Sequence, residues 1–447
     1  MNRCVVFLYC LLLALPTVAQ KSKGSTYFEQ AKEALNQGDT QKALTLMNNS
    51  RSEYLKEKNY YRFFVATQSM IIIYQDGGQY AEAEKVISEA IPLIPPNNND
   101  NLVLQAKLQD NLAYGYLYGM NRPEDALKAY DKSIQFYEQA GHHDDPDLAF
   151  ELVNRGTTYN TLREIRKAIK DLERAAAIYS RDEKTPATTR ADIRNTLGIL
   201  WSSLDEWTKA REQFDLGLKL ISSQAEPELA SKLLNGLGII AYNLEDYPSA
   251  FELFERERNL QLEVMQKDDA RYAATMINLG NTRKKLGDIN SALRDYQEAL
   301  TIYTKSPPAE STDLIDLMLN YSIVANEFGQ FSQSSQLHEA ALQLAQATYG
   351  SNSLAEAYVL ISMGATSFAN GAFEQSLIQN SKALTIMNKY PDGPPTDIAD
   401  LYNNIGQAYD ELGDVDLALQ HKNKALALYK RIYGTEHSAY AMALGNI

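Results

Sequence analysis

The stretch Asn404–Leu419 reads NIGQAYDELGDVDLAL, and its spacing decides the fold. A small residue, Gly406, lies seven positions before Gly413, and a second small residue, Ala418, lies five positions after it. An aromatic residue, Tyr409, follows the first small residue by three positions. Because glycine readily adopts the left-handed conformation that ends a helix, Gly413 marks a turn. The spacing therefore predicts two helices that approach closely where their side chains are small.

The same frame recurs along the chain. The turn glycines are Gly38, Gly78, Gly287, Gly329, Gly371 and Gly413, and the frame also fits the small-residue pairs Gly156/Ala168, Gly198/Ala210 and Gly238/Ala250. A unit around Ala113 and Ala126 fits with one extra residue in its turn. From Gly238 to Gly406 the frame advances in steps of 42 residues. Self-similarity at a fixed period is the signature of stacked structural repeats.

This small–aromatic–glycine–small order resembles the tetratricopeptide repeat. The common repeat has 34 residues, and the additional residues here fall between the second helix of one repeat and the first helix of the next. Pro and polar residues occupy those connections, and the segment 145–156 is especially similar to the kinesin-light-chain-like subtype found in exported bacterial arrays. The resemblance implies an all-α fold, a right-handed α-solenoid superhelix of tandem helix-turn-helix repeats.

The N-terminus has the pattern of a secretory signal peptide. Arg3 precedes an apolar run, 4–15, and small residues end at Ala19. Twelve apolar residues are too few to cross a bilayer, although an uncleaved anchor is the alternative. We expect a signal peptide at 1–19, a short linker at 20–26, and an array over 27–447 of ten repeats plus the first helix of an eleventh.

Composition narrows the class of protein. The formal net charge of -14 opposes binding to nucleic acid, which needs a surplus of cations at the phosphates. Both cysteines lie in the leader, so the mature chain has no disulfide and no thiolate metal site. The expected product is exported, periplasmic or secreted, with no integral membrane segment after leader cleavage.

Searches for catalytic signatures find none. The sequence has no glycine-rich phosphate loop followed by Lys and no Gly-x-Ser-x-Gly elbow. The segment at His338 and Glu339 lacks the second His of a metalloprotease motif. The run 142–145, His-His-Asp-Asp, is expected to be a solvated loop and not a metal site. We therefore predict a protein that is not an enzyme and has no cofactor.

Asparagine recurs near the first small residue of the repeat. The positions are Asn111, Asn154, Asn195, Asn235, Asn278, Asn320 and Asn404. In tetratricopeptide proteins the first helices line a concave groove, and similar arrays hold an extended peptide with such an Asn ladder. A carboxamide can both donate to and accept from a peptide backbone. The alternative is that these side chains bond to the adjacent repeat and set its spacing.

Cationic residues gather near the end of one predicted first helix. Arg283 occupies a position that holds Tyr or Trp in other repeats, and Lys284 follows it. With Lys232 and Arg271 they are candidates for a pocket that contacts a carboxylate. The alternative, which we favour, is a solvated helix end whose cations interact with the helix dipole.

The sequence thus predicts an interaction scaffold that binds a protein or peptide ligand in the groove. The competing hypothesis is a sensor or regulatory ectodomain of a longer protein. That hypothesis is motivated by residues 439–447, which match the first helix of an eleventh repeat. Its output domain would be a kinase, a DNA-binding domain or a CHAT-type peptidase.

Overall fold

A computed structural model describes residues 22–264, 269–390 and 395–447. The expected signal peptide, 1–19, lies outside them. The described residues form helices joined by short turns and contain no β-strand, so the predicted all-α repeat fold is confirmed. The helices group into two compact units, which divide between Ile221 and Ser222.

The first unit contains ten α-helices in the part of it that is described. They are α1 (Lys23–Asn36), α2 (Thr40–Lys56), α3 (Tyr60–Asp76), α4 (Tyr80–Ala90), α5 (Asn99–Tyr114), α6 (Pro123–Gln139), α7 (Pro146–Thr161), α8 (Ile165–Arg181), α9 (Ala187–Ser202) and α10 (Trp207–Leu220). A 3-10 turn, Ile91–Leu93, extends α4. Helix α1 begins at Lys23, inside the segment 20–26 that we expected to be a linker.

The second unit contributes eleven more helices over its described residues. They are α11 (Pro227–Asn243), α12 (Tyr247–Val264), α13 (Ala270–Lys285), α14 (Ile289–Lys305), α15 (Ser311–Glu327), α16 (Phe331–Tyr349), α17 (Leu354–Ala369), α18 (Phe373–Met387), α19 (Pro395–Glu411), α20 (Val415–Tyr433) and α21 (Ser438–Gly445). Each odd-numbered helix from α1 to α19 packs against the helix that follows it. Within each unit, the second helix of a pair also packs on the first helix of the next pair.

The small residues of the frame lie where the two helices of a pair meet. Gly238 on α11 is buried, and a Cβ atom placed on it would lie 2.5 Å from the ring of Phe254 on α12. A Cβ atom placed on Gly198 would likewise lie 2.6 Å from the ring of Phe214. The glycine therefore makes room for the side chain four positions after the second small residue, and the aromatic ring fills the gap.

The hairpin turns contain a residue in the left-handed backbone conformation. This residue is glycine in some turns and a residue with a side chain in others. Gly287 has a φ of 83°, and its successor Asp288 accepts a hydrogen bond from the Ser291 amide as the N-cap of α14. This explains the recurrent Gly-Asp pair. Arg163 and Glu245 hold the same left-handed position with φ of 62° and 61°. Side chains with a Cβ are strained there.

The extra residue predicted in the third repeat has a defined place. After α5 the chain makes a single π-helical turn, Gly115–Gly119, before α6 begins at Pro123. A π-turn absorbs one residue by widening the helix locally. The left-handed residue in this connection is Asn121, with a φ of 52°. The insertion is therefore accommodated before the turn, and Ala113 and Ala126 both stay buried.

Candidate peptide-binding groove

The predicted Asn residues all lie on first helices. In the first unit Asn111, Asn154 and Asn195 belong to α5, α7 and α9. In the second unit the positions are Asn235 on α11, Asn278 on α13, Asn320 on α15 and Asn404 on α19. Asn195 is buried and the other six are partly exposed. Five of these amides lie two positions before the first small residue of their repeat, and Asn195 and Asn235 lie three positions before it.

Three of these amides are engaged by their own chain. Asn111 Nδ2 donates to the carbonyl oxygen of Lys107 at 2.7 Å, within its own helix. Asn235 Nδ2 donates to Glu257 Oε2 on α12 at 3.1 Å. The side chain of Asn154 hydrogen-bonds the carboxyl of Asp110, on the first helix of the preceding repeat. The contacts of Asn154 and Asn235 favour a role in holding helices together, whereas the bond of Asn111 stays within one helix.

A cleft of about 980 Å³ opens in the first unit between α3 and α5, the first helices of the second and third repeats. Its residues include Tyr60, Tyr61, Phe64, Gln68 and Lys107. The side chain of Tyr61 is half exposed. The cleft thus combines an aromatic wall with an amide and a cation. Sequence analysis singled out none of these five residues, so it missed this cleft.

Two of the predicted carboxylate contacts, Arg283 and Lys284, already have carboxylate partners within the second unit. Arg283 is 16% exposed and donates to Asp295 at 2.6 Å and to Glu255 at 2.9 Å. Lys284 Nζ lies 3.4 Å from Glu327 Oε1. Lys232 is exposed on α11. The structure therefore places Arg283 inside an ionic network instead of at a solvated helix end.

The first unit has a matching network. Arg155 on α7 makes two hydrogen bonds of 2.7 Å to Asp171 on α8, and a third of 2.7 Å to Asp131 on α6. Asp171 and Asp295 each follow the second small residue of their repeat by three positions. A bidentate Arg–carboxylate pair fixes geometry strongly. The Arg–Asp pair connects the two helices of one repeat in both networks. The same arginine also binds a carboxylate on the second helix of the preceding repeat, so it connects the two repeats.

Two buried glutamates are functional candidates that sequence reasoning missed. Glu151 on α7 and Glu257 on α12 are 2% and 3% exposed. Burial raises the pKa of Glu257 to about 7. Burial, with the added effect of Asp110, raises the pKa of Glu151 to about 9. Aligning the repeats would have revealed both, because glutamate replaces an aliphatic or small residue at each position.

The His142–Asp145 segment forms a local contact. His142 Nδ1 lies 2.6 Å from Asp145 Oδ2, and Asp145 caps α7 through the Asp147 amide. Over the described ranges, no group of three or more His, Cys, Asp or Glu side chains is arranged to hold a metal ion. In the same ranges, no helix is both long and apolar enough to cross a membrane.

Comparison with known proteins identifies the repeat. The tetratricopeptide repeat family profile matches residues 228–305 and 397–447. The kinesin light chain-related protein 2 of Arabidopsis thaliana is 19% identical over 222 residues, which is 49% of this chain. The aligned part spans about a third, 33%, of that relative. Two segments of the chain thus match the tetratricopeptide repeat, and the chain is similar to kinesin light chain relatives, as the sequence predicted.

Solved structures share the fold. The apo form of RapI superposes with a TM-score of 0.59 at 16% identity, over 83% of this chain and 98% of RapI. A signal transduction ATPase with numerous domains from Pyrococcus horikoshii, whose tetratricopeptide repeats are described as a sensor, gives a TM-score of 0.52 at 12% identity. That match covers 81% of this chain and 55% of the ATPase. These structures therefore show that the chain shares their helical repeat fold.

Proposed function

We propose that this protein is an interaction scaffold that binds a segment of another polypeptide along its first helices. The observation that carries the proposal is the cleft between α3 and α5. Its volume of about 980 Å³ lies in the range of protein ligand sites. Tyr60 and Tyr61 offer apolar area, and Gln68 offers both a donor and an acceptor to a peptide backbone.

The test uses a linear hexapeptide library presented to the immobilised full chain. Peptides retained by the wild type should be lost from Tyr61→Ala, because truncating a half-exposed ring removes contact area without disturbing the core. Tyr118→Ala is the matched control, since Tyr118 is 62% exposed and lies outside the cleft. If Tyr61→Ala and Tyr118→Ala retain the peptides equally well, the binding surface lies elsewhere and the assignment to this cleft is refuted.

We also propose a non-catalytic role without a cofactor or nucleic-acid partner. The excess of 57 Asp and Glu over 43 Lys and Arg supports the absence of a nucleic-acid partner. Export to the periplasm or beyond is proposed from the leader pattern of residues 1–19. Mass spectrometry of the N-terminus of the cell-derived protein checks it. A chain that begins at Gln20 supports export, and one that retains Met1 in the cytoplasm refutes it.

A further inference from the structure

Arg51 is a buried cation at a position that most repeats fill with an aliphatic side chain. It lies on α2, eight positions after the second small residue of its repeat, and is 6% exposed. Eight other repeats have Leu, Ile or Ala at the equivalent position, for example Ile91, Leu300 and Leu342. Taking a guanidinium group out of water is costly unless an anion compensates for the lost hydration. Packing therefore does not account for Arg51.

The side chains that touch Arg51 are apolar. Its Nη1 atom lies 3.8 Å from the sulfur atom of Met70, and its guanidinium carbon lies 5.3 Å from the centre of the Phe63 ring, both on α3. Its Nε atom is buried and has no hydrogen-bond partner among the described residues. Burial lowers the pKa of this guanidinium, but arginine stays protonated in proteins. A thioether and an aromatic face do not neutralise a full positive charge.

One described carboxylate favours the charge of Arg51 from a distance. It belongs to Glu89 on α4, which attracts the guanidinium electrostatically without forming a hydrogen bond to it. Glu89 is exposed, so water weakens this attraction. Buried charges in native proteins are normally paired directly. The direct pairing capacity of Arg51 is therefore not used by Glu89.

A second arginine in the array shows how such a position is normally neutralised. Arg258 on α12 stands at the same place in the sixth repeat. Its Nη2 atom donates to Glu255 Oε2 at 2.5 Å, and its charge stabilises the carboxylate of Asp295 on α14. In the first two repeats the residues equivalent to Glu255 and Asp295 are Asn48 and Val86. The first repeat thus keeps the arginine, but neither of the two equivalent positions is acidic.

The surface beside Asn48 gives access to Arg51. Asn48 lies three positions before Arg51, so the two residues are neighbours on the same face of α2, and Asn48 is exposed. The same spacing brings Glu255 to Arg258 in the sixth repeat. A carboxylate from outside the chain that lies beside Asn48 can therefore reach the guanidinium as Glu255 reaches Arg258.

We infer that Arg51 binds one carboxylate group from outside the chain, at the surface of α2 beside Asn48. Arg51 does not line the cleft between α3 and α5, so this site goes beyond the proposed function. Guanidinium N–H groups pair with carboxylate oxygens in a planar, bidentate geometry, and burial of the cation strengthens the attraction. A free small molecule and an Asp or Glu side chain of a partner polypeptide both carry this group.

The first experiment titrates sodium acetate into the full chain, with neutral acetamide as the matched probe and sodium chloride to hold the ionic strength constant. The NMR signal of the Arg51 Nε–H group, identified by its loss in Arg51→Leu, should shift saturably with acetate and stay in place with acetamide. Inorganic phosphate is the third probe. No response to acetate, an equal response to acetamide, or a response to phosphate alone would overturn the inference.

The second experiment measures stability and guards against misfolding. Arg51→Leu carries the residue that five other repeats hold at this position, so it should fold. Acetate should raise the urea midpoint of the wild type above that in equal chloride, because a ligand that binds only the folded state stabilises it. Arg51→Leu should lose this rise, and Arg166→Leu, at an exposed arginine on α8, should keep it. An equal rise in Arg51→Leu would contradict the assignment.

Two further variants test the pairing itself. Asn48→Glu places a carboxylate at the position of Glu255, so it should raise the free energy of unfolding and weaken acetate binding at least tenfold. Glu89→Gln removes an anion that repels acetate, so it should tighten binding. If Glu89→Gln instead destabilises the chain and leaves acetate binding unchanged, Glu89 is the partner of Arg51 and the inference fails.

The hexapeptide library distinguishes the two sources of the carboxylate. Retained peptides that are enriched in Asp or Glu, with the enrichment lost in Arg51→Leu and kept in Tyr61→Ala, indicate a partner polypeptide. An acetate response without such enrichment supports the site and indicates a small carboxylate. Because Tyr61→Ala tests the cleft and Arg51→Leu tests this site, failure of the proposed function and failure of this inference give different results.

Discussion

Glu257 on α12 accepts a hydrogen bond of 3.1 Å from the side-chain amide of Asn235 on α11. Ser231 donates to the same carboxyl group at 3.4 Å, and Gln261 donates to it at 3.1 Å. All of these donors are neutral. Glu257 stands seven positions after the second small residue, where the nine other repeats have Ala, Ser or Gly. The contact between the two helices of the sixth repeat is therefore polar and ionisable.

The first prediction concerns pH. The pKa of Glu257 is raised by burial to about 7 in the folded chain, above its ordinary value of 4.5. The folded state thus holds the proton more tightly, and the associated stability is lost as pH rises through 7. Relative to Glu257→Gln, the wild type should lose about 2 kcal/mol between pH 5 and pH 8. Urea denaturation at several pH values measures this.

The matched control for that experiment is Glu263→Gln, an exposed residue on the same helix. Its unfolding free energy should follow the wild-type pH dependence. A Glu257→Gln variant that also retains the full wild-type dependence would show that another group is responsible.

The second prediction concerns the turn residue Glu245, whose φ is 61°. Glycine adopts this conformation without a clash between Cβ and the backbone. Glu245→Gly should therefore raise the unfolding free energy by about 1 kcal/mol. The converse change, Gly287→Ala at the equivalent turn, should lower it by a similar amount. Thermal and urea unfolding of both variants provide the comparison, and destabilisation by Glu245→Gly would contradict the strain argument.

The third prediction tests the contact between Gly238 and Phe254. Because a Cβ on Gly238 would lie 2.5 Å from the ring, Gly238→Ala should destabilise the chain by roughly 1–3 kcal/mol. Replacing Phe254 by Leu in the same chain should recover part of the loss. Gly445→Ala is the control, because nothing lies within 4 Å of the added atom there. Additive effects of the two core changes would argue against direct contact.

The fourth prediction concerns the ionic network of the second unit. Arg283→Met removes the cation that faces Asp295, whose side chain is 5% exposed, and leaves that carboxylate buried without a partner. The expected loss is about 3 kcal/mol in the free energy of unfolding. The double variant Arg283→Met/Asp295→Leu should recover most of it. A double variant that is no more stable than the single one would mean that Arg283 acts mainly through Glu255.

The fifth prediction addresses the amides of the second unit. Asn278, Asn320 and Asn404 changed together to Ala should weaken binding of a retained peptide at least tenfold if they contact its backbone. The control changes the exposed residues Asn243, Asn290 and Asn388 to Ala. Unchanged affinity in the first triple variant, together with reduced stability, would assign these side chains to repeat packing.

Local pattern was sufficient to predict the hairpins. The Gly-Asp turns and the paired small residues are short-range signals, so the ten helix pairs and their turns could be read from the sequence. The identity of the large side chain that fills the space beside a glycine was harder to predict from the sequence. Phe254 lies sixteen positions from Gly238, and only the packed hairpin brings them together.

The site was harder to predict because its contacts join different repeats. The bond between Asp110 and Asn154 connects two first helices, and sequence spacing alone does not show which groups will face each other. Glu151 and Ser133 also come from adjacent repeats. The position of Glu151 in the frame would have flagged it, because most other repeats have an aliphatic residue there, but its burial is a property of the packed structure.

The constant step between Ser322 and Gly364 bears on how such a chain changes in length. Deleting residues 322–363 would leave Leu317 five positions ahead of Gly364, the spacing it now has to Ser322. Every remaining hairpin would keep its own cap and glycine turn. A gene that encodes this protein can therefore gain or lose one 42-residue repeat by recombination without a shift of helical register. The number of repeats can then differ between related proteins.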